Sequence, residues 1–124
     1  MTLISGKGVA FPRPFRGFSG SIVVLQNENS SSNAEMFPEA VRAAGLGKIV
    51  GMPTPGLVLL SSDFELSDGS HLAIGHGYIR TLKGENMENT GVQPDVMVDN
   101  LPEDVVKGRD TQLEKAVEVL RGMR

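Results

Sequence analysis

The stretch that most constrains this chain is the apolar run Ser21-Ile22-Val23-Val24-Leu25-Gln26, which leads at once into a polar turn and then an amphipathic segment. A continuous run rich in β-branched residues, without polar alternation, is the pattern of a strand buried on both faces. The turn is Asn27-Glu28-Asn29-Ser30-Ser31-Ser32. A helix is predicted over 33–44, because Met36, Phe37, Ala40, Val41 and Ala44 recur at the three- and four-residue spacing of one helical face. Gly45 stands where a left-handed terminator is expected.

The remaining elements follow from the same kind of signal. Lys48-Ile49-Val50-Gly51 reads as a second buried strand, and Pro53-Thr54-Pro55-Gly56 as a turn into a third, Leu57-Val58-Leu59-Leu60. Phe64-Glu65-Leu66 and Leu72-Ala73-Ile74 flank Asp68-Gly69, a strong hairpin signal. Val96-Met97-Val98 is a further short strand. Asp110 is placed to cap a last helix with Leu113, Ala116, Val117 and Leu120 on one face. Strand, helix, strand, hairpin and terminal helix describe an α/β domain over 21–124. Residues 1–20 hold four of the 15 glycines, two of the seven prolines and three of the five phenylalanines, and are expected to form an irregular arm. Phe11, Phe15 and Phe18 make that arm too apolar for a solvated tail.

Composition removes several function classes. The 12 basic and 15 acidic residues leave a net charge of −3, and the basic ones are scattered. Phosphate binding needs a concentrated basic surface, so no nucleic-acid partner is expected. There are no cysteines, hence no disulfides and no thiolate chemistry. No segment approaches the ~20 apolar residues of a membrane span, and no metal or cofactor motif is present.

Chemistry concentrates at Ser32. A serine between the end of a buried strand and a helix start holds its hydroxyl on a fixed turn beyond the sheet edge. The next amide, that of Asn33, has no intrahelical acceptor and can donate to a developing oxyanion, with the helix dipole favouring the negative charge. The same residues, Ser32-Asn33-Ala34-Glu35, also spell a capping box, in which Ser32 closes the helix and Glu35 reaches back. Both readings stand on these residues alone.

Asn27-Glu28-Asn29-Ser30-Ser31-Ser32-Asn33-Ala34-Glu35-Met36-Phe37 resembles the nucleophile motif of the tricorn core peptidases and the tail-specific (C-terminal processing) peptidases, with the nucleophile at Ser32. The likeness continues through Gly45-Leu46-Gly47-Lys48-Ile49-Val50-Gly51 with Pro53-Thr54, and through Leu66-Ser67-Asp68-Gly69-Ser70. It extends to Glu88-Asn89-Thr90-Gly91-Val92-Gln93-Pro94-Asp95 and to the closing helix from Arg109. Ordered matches of this kind span about residues 18–120. The resemblance implies the C-terminal portion of a crotonase-like, Clp-protease-like ββα superhelix. It also implies peptide-bond hydrolysis through an acyl-enzyme at Ser32, with the Asn33 N–H in the oxyanion hole.

One departure is decisive for the branch. The processing peptidases carry a lysine base directly after a glycine, where this chain has Gly56-Leu57. Leucine accepts no proton, so the resemblance narrows to the tricorn branch, whose base is an upstream histidine supported by a late glutamate. Glu88 best fits that glutamate, with Glu85 a weaker choice. His71 and His76 fall in the second hairpin strand, where the family has no catalytic histidine, and Lys48 and Lys83 have no precedent as bases. The tricorn likeness implies short peptide substrates, an upstream segment supplying the base, and a cytoplasmic setting. Without that base the 124 residues alone are expected to be inactive. The apolar arm and open strand edges favour a homo-oligomer. A non-catalytic ligand-binding or oligomerisation module on the same fold is the alternative, since fold does not fix function.

Overall fold

A computed structural model describes Phe18 and residues 20–123. The expected arm falls almost wholly outside these residues. Phe18 and Gly20, its two described members, are exposed.

The first half forms a strand–helix–strand unit. β1 (Ile22–Gln26) leads through the polar turn to α1 (Asn33–Ala43), which returns to β2 (Gly47–Gly51). β1 and β2 pair in parallel with Ile22 opposite Gly47 and Gln26 opposite Gly51. A short β5 (Val96–Met97) adds in parallel to the other side of β2, giving the sheet order β1-β2-β5. Ile49 and Val50 of this central strand are fully buried, as a continuous apolar run in a parallel sheet requires. β1 is only half-buried, and Leu25 lies largely exposed at this edge of the sheet. The expectation of burial on both faces therefore holds for β2 and fails for β1, because β1 has a sheet neighbour on one side among the described residues.

α1 and α3 (Thr111–Gly122) both pack on β1 and β2. α1 buries Pro38 and Val41 but leaves Phe37 exposed, so its apolar stripe is narrower than the sequence pattern. Gly45 ends the helix at φ 65°, as anticipated. α3 starts at the expected cap: the Asp110 carboxylate accepts the Leu113 N–H at 2.9 Å. α3 buries Ala116, while Leu113 and Val117 remain partly exposed. The one-turn helix α2 (Pro102–Val106) was not expected from the sequence, whose apolar pattern there is too short to register.

β3 (Leu59–Glu65) and β4 (His71–Tyr78) form an antiparallel hairpin around Asp68-Gly69. β3 begins two residues later than the predicted third strand and runs on through Phe64, merging two expected strands into one. Leu57-Val58 instead lies outside any strand, and Val58 enters a cluster with Ile49, Met87 and Val92. Met36 and Ile79 pack against that cluster. Asp95 fastens β5 to β2, with its carboxylate accepting the Ile49 N–H at 2.7 Å and its own N–H bonded to the Ile49 carbonyl at 2.8 Å.

Candidate active site

Ser32 lies at the junction of turn and helix, exposed, with φ 56° and ψ −118°. A side chain at positive φ is uncommon, and this combination is the one a glycine would adopt without cost. A strained strand-to-helix turn is a known way to lift a serine hydroxyl clear of a sheet. Asn33 opens α1 and is exposed, and its N–H has no hydrogen-bond acceptor among the described residues.

Both contacts of the capping box are in place, but only the one from Glu35 is a full hydrogen bond. The Glu35 carboxylate accepts the Ser32 N–H at 3.3 Å. Ser32 Oγ faces the Glu35 amide, but that amide is bonded to the Ser32 carbonyl at 2.9 Å, and we assign the carbonyl as its partner. The hydroxyl sits in the capping-box position without a full hydrogen bond to that amide.

Glu35 has a larger part than the sequence suggested. It is completely buried and draws the segment after β2 onto the turn. Its carboxylate accepts from Leu57 N at 2.7 Å, Gly56 N at 2.8 Å and Thr54 Oγ at 2.5 Å. Thr54 Oγ in turn accepts the Val92 N–H at 2.7 Å, and the Leu57 carbonyl accepts the Ser32 N–H at 3.1 Å. Gly56 (φ 77°) and Gly91 (φ 66°) let the two loops touch: a Cβ on Gly91 would lie 2.1 Å from the Thr54 carbonyl oxygen. Gln26 closes the arrangement from the end of β1, its side-chain amide donating to the carbonyls of Met52 (3.0 Å) and Val92 (2.7 Å). The Pro53-Thr54 and Gly91-Val92 blocks of the sequence thus meet at one place. Spacing alone gave no sign that Glu35 and Gln26 would be what they meet around.

Glu88 is half-buried in the turn after Met87, and its N–H donates to Asn86 Oδ1 at 3.3 Å. No hydrogen bond joins it to Ser32. The two turns are connected through Gly56-Leu57, whose carbonyls accept from Asn89 N (2.8 Å) and Ser32 N (3.1 Å) respectively. Glu88 lines a cavity of about 530 Å³ with Leu59, His76 and Tyr78. Glu85 is exposed near a second cavity bordered by Arg42 and Glu39. The Leu57 side chain is exposed. His76 is hydrogen-bonded to Ser62 across the hairpin at 2.9 Å, His71 pairs opposite Glu65, and Lys48 and Lys83 are exposed. None of these four is bonded to Ser32. Among the described residues no three acidic or histidine side chains converge as a metal site, and no helix is long and apolar enough to cross a membrane.

An exposed serine on a strained strand-to-helix turn, beside an amide with no acceptor among the described residues, resembles the nucleophile turns found in serine hydrolases. Comparison with known proteins gives the family: the profile of Peptidase family S41 matches residues 6–98, and the chain belongs to that family. It is 39% identical over 101 residues to tricorn protease homolog 1 of Streptomyces coelicolor, a match covering 79% of this chain and 9% of the relative. It is 29% identical over 104 residues to the carboxyl-terminal-processing protease of Synechocystis, covering 82% of this chain and 24% of that protein. The solved tricorn protease superposes with a TM-score of 0.72 at 31% identity, over 90% of this chain and 12% of that one. The chain thus spans a quarter or less of each of these proteins.

Proposed function

We propose that this chain carries the nucleophile of a serine peptidase of the tricorn type, within a crotonase-like superhelix completed by other parts of the protein. The observation that carries the reading is the exposed Ser32 on its strained turn, next to an Asn33 N–H that has no acceptor among the described residues. The hydroxyl proton passes to a base supplied from outside residues 20–123, and Oγ bonds to the peptide carbonyl carbon. The resulting oxyanion accepts the Asn33 N–H; removing one such donor in a protease costs about 2.7–4 kcal/mol. Collapse breaks the C–N bond, the base returns its proton to the leaving amine, and water then hydrolyses the Ser32 ester. Glu88 orients the group that supplies the base, in the manner of a third triad member. Peptides are the substrate, and the working protein is an oligomer with its own kind. The exposed Leu57 side chain supports the tricorn branch over the processing branch, since it brings no proton acceptor to the turn.

The test is fluorophosphonate labelling of the polypeptide that carries this chain in the cell, followed by peptide mapping. Modification is expected at Ser32 and lost in Ser32→Ala. A protein that hydrolyses peptides without modification at Ser32, or that neither reacts nor hydrolyses, overturns the reading. The second outcome leaves a non-catalytic module of the same fold.

A further inference from the structure

Glu35 has four hydrogen-bond donors on a carboxylate with no exposed surface, and only one of them belongs to the capping box. That contact, from Ser32 N at 3.3 Å, is the longest of the four. The other three come from residues 19 to 22 positions away in sequence. A helix cap needs none of them. Each carboxylate oxygen takes two donors: Oε1 holds the amides of Ser32 and Leu57, and Oε2 holds the Gly56 amide and the Thr54 hydroxyl.

We propose that Glu35 is a positioning residue for Ser32, its buried carboxylate clamping the nucleophile's peptide plane to the Thr54–Leu57 segment. This rests on the peptidase reading and deepens it. The Ser32 N–H is divided between Glu35 Oε1 and the Leu57 carbonyl, both fixed by the same clamp. With the peptide plane before Ser32 held, φ at Ser32 stays positive. The Asn33 N–H, next along the chain, has no acceptor among the described residues. Burying a carboxylate beside a developing oxyanion would ordinarily oppose catalysis. Here four donors and the amino end of α1 offset that charge.

The chemistry of the clamp makes glutamine a poor substitute. In Glu35→Gln the NH₂ group occupies one oxygen position, and on either side it meets a backbone N–H that cannot turn away. Thr54 must both accept from Val92 and donate to Glu35, which serine can do and valine cannot.

The experiment compares wild type, Glu35→Gln, Thr54→Val and Thr54→Ser in the full polypeptide. Fluorophosphonate labelling of Ser32 is resolved into inhibitor binding and inactivation rate, at a temperature where circular dichroism finds each variant folded. Glu35→Gln and Thr54→Val are expected to lower the inactivation rate roughly ten- to a hundredfold with little change in inhibitor binding. Thr54→Ser should react like wild type. Hydrogen exchange at the Ser32 and Leu57 amides should accelerate in Glu35→Gln. An unchanged inactivation rate in folded Glu35→Gln overturns the proposal. If wild type itself does not label, the peptidase reading fails instead. Amide exchange then decides the clamp, and unchanged exchange in Glu35→Gln removes it as well.

Discussion

Ser32 holds a backbone conformation that costs roughly 1–3 kcal/mol for a residue with a side chain. Glycine would relieve most of that strain at an unfolded-state entropy cost of roughly 0.5–1 kcal/mol. The Ser32 hydroxyl makes no full hydrogen bond to the helix end, and the Glu35 amide keeps the Ser32 carbonyl when the hydroxyl is lost, so little capping is removed. Ser32→Gly is therefore expected to be about 1 kcal/mol more stable than wild type by urea denaturation. Ser32→Ala, which keeps the strained φ, should gain much less. A serine that served as a helix cap would show the reverse, with Ser32→Ala destabilised by roughly 0.5–2 kcal/mol. The same residue marks how far sequence reasoning reaches. Ser32-Asn33-Ala34-Glu35 announces both a helix start and a candidate nucleophile, and cannot decide between them. Nor does it show where the Glu35 carboxylate goes. Its partners Thr54, Gly56 and Leu57 come from a loop whose residues carry no periodicity to align them with the turn.

At the scale of elements, what could be read was whatever local chemistry dictates. Asp68-Gly69 fixed the hairpin, Gly45 ended α1, and Asp110 began α3. What could not be read depended on neighbours: the exposure of Leu25 and Phe37, and the join of two predicted strands into β3. α3 offers a direct check of a local rule. The Asp110 carboxyl is held below its usual value, first by the Leu113 N–H and then by the Asn100 side chain. A depressed folded-state pKa means that its stabilisation is complete above the unfolded value, about 3.9, and fades as pH falls through the folded one. Asp110→Ala should lower the thermal midpoint at neutral pH, and the gap to wild type should shrink steadily below about pH 4. Asn100 complicates a simple cap picture, because it donates to Asp110 while its own oxygen accepts from Thr111 and Gln112. A gap that stays constant down to pH 2 would assign the stabilisation to that network rather than to the ionised carboxylate.

Across the whole molecule, order is distributed unevenly. Ile49, Val50, Val58, Met87 and Val92 form the buried centre, whereas β3 and β4 make most of their contacts with each other. Cross-strand pairing puts Phe64 opposite Leu72 and Ser62 opposite Ile74 on one face, and Asp63, Glu65 and His71 on the other. The hairpin is amphipathic, yet Phe64, Leu72 and Ile74 are each about half exposed. A two-stranded hairpin is marginally stable in water unless its apolar face is covered. For these 124 residues as a dilute monomer, amides of β3 and β4 are therefore expected to exchange at least about a hundredfold faster than those of Ile49 and Val50. The difference matters for the site, because Leu57 joins the Glu35 clamp and β3 begins only two residues beyond it. If the clamp holds independently, protection should persist at Gly56 and Leu57 and drop sharply from Leu60 onward. Equal protection throughout, in a sample shown by light scattering to be monomeric, would mean that the hairpin is stabilised by the chain itself. Loss of protection at Gly56 and Leu57 together with the hairpin would make the Ser32 turn dependent on whatever covers Phe64 and Leu72.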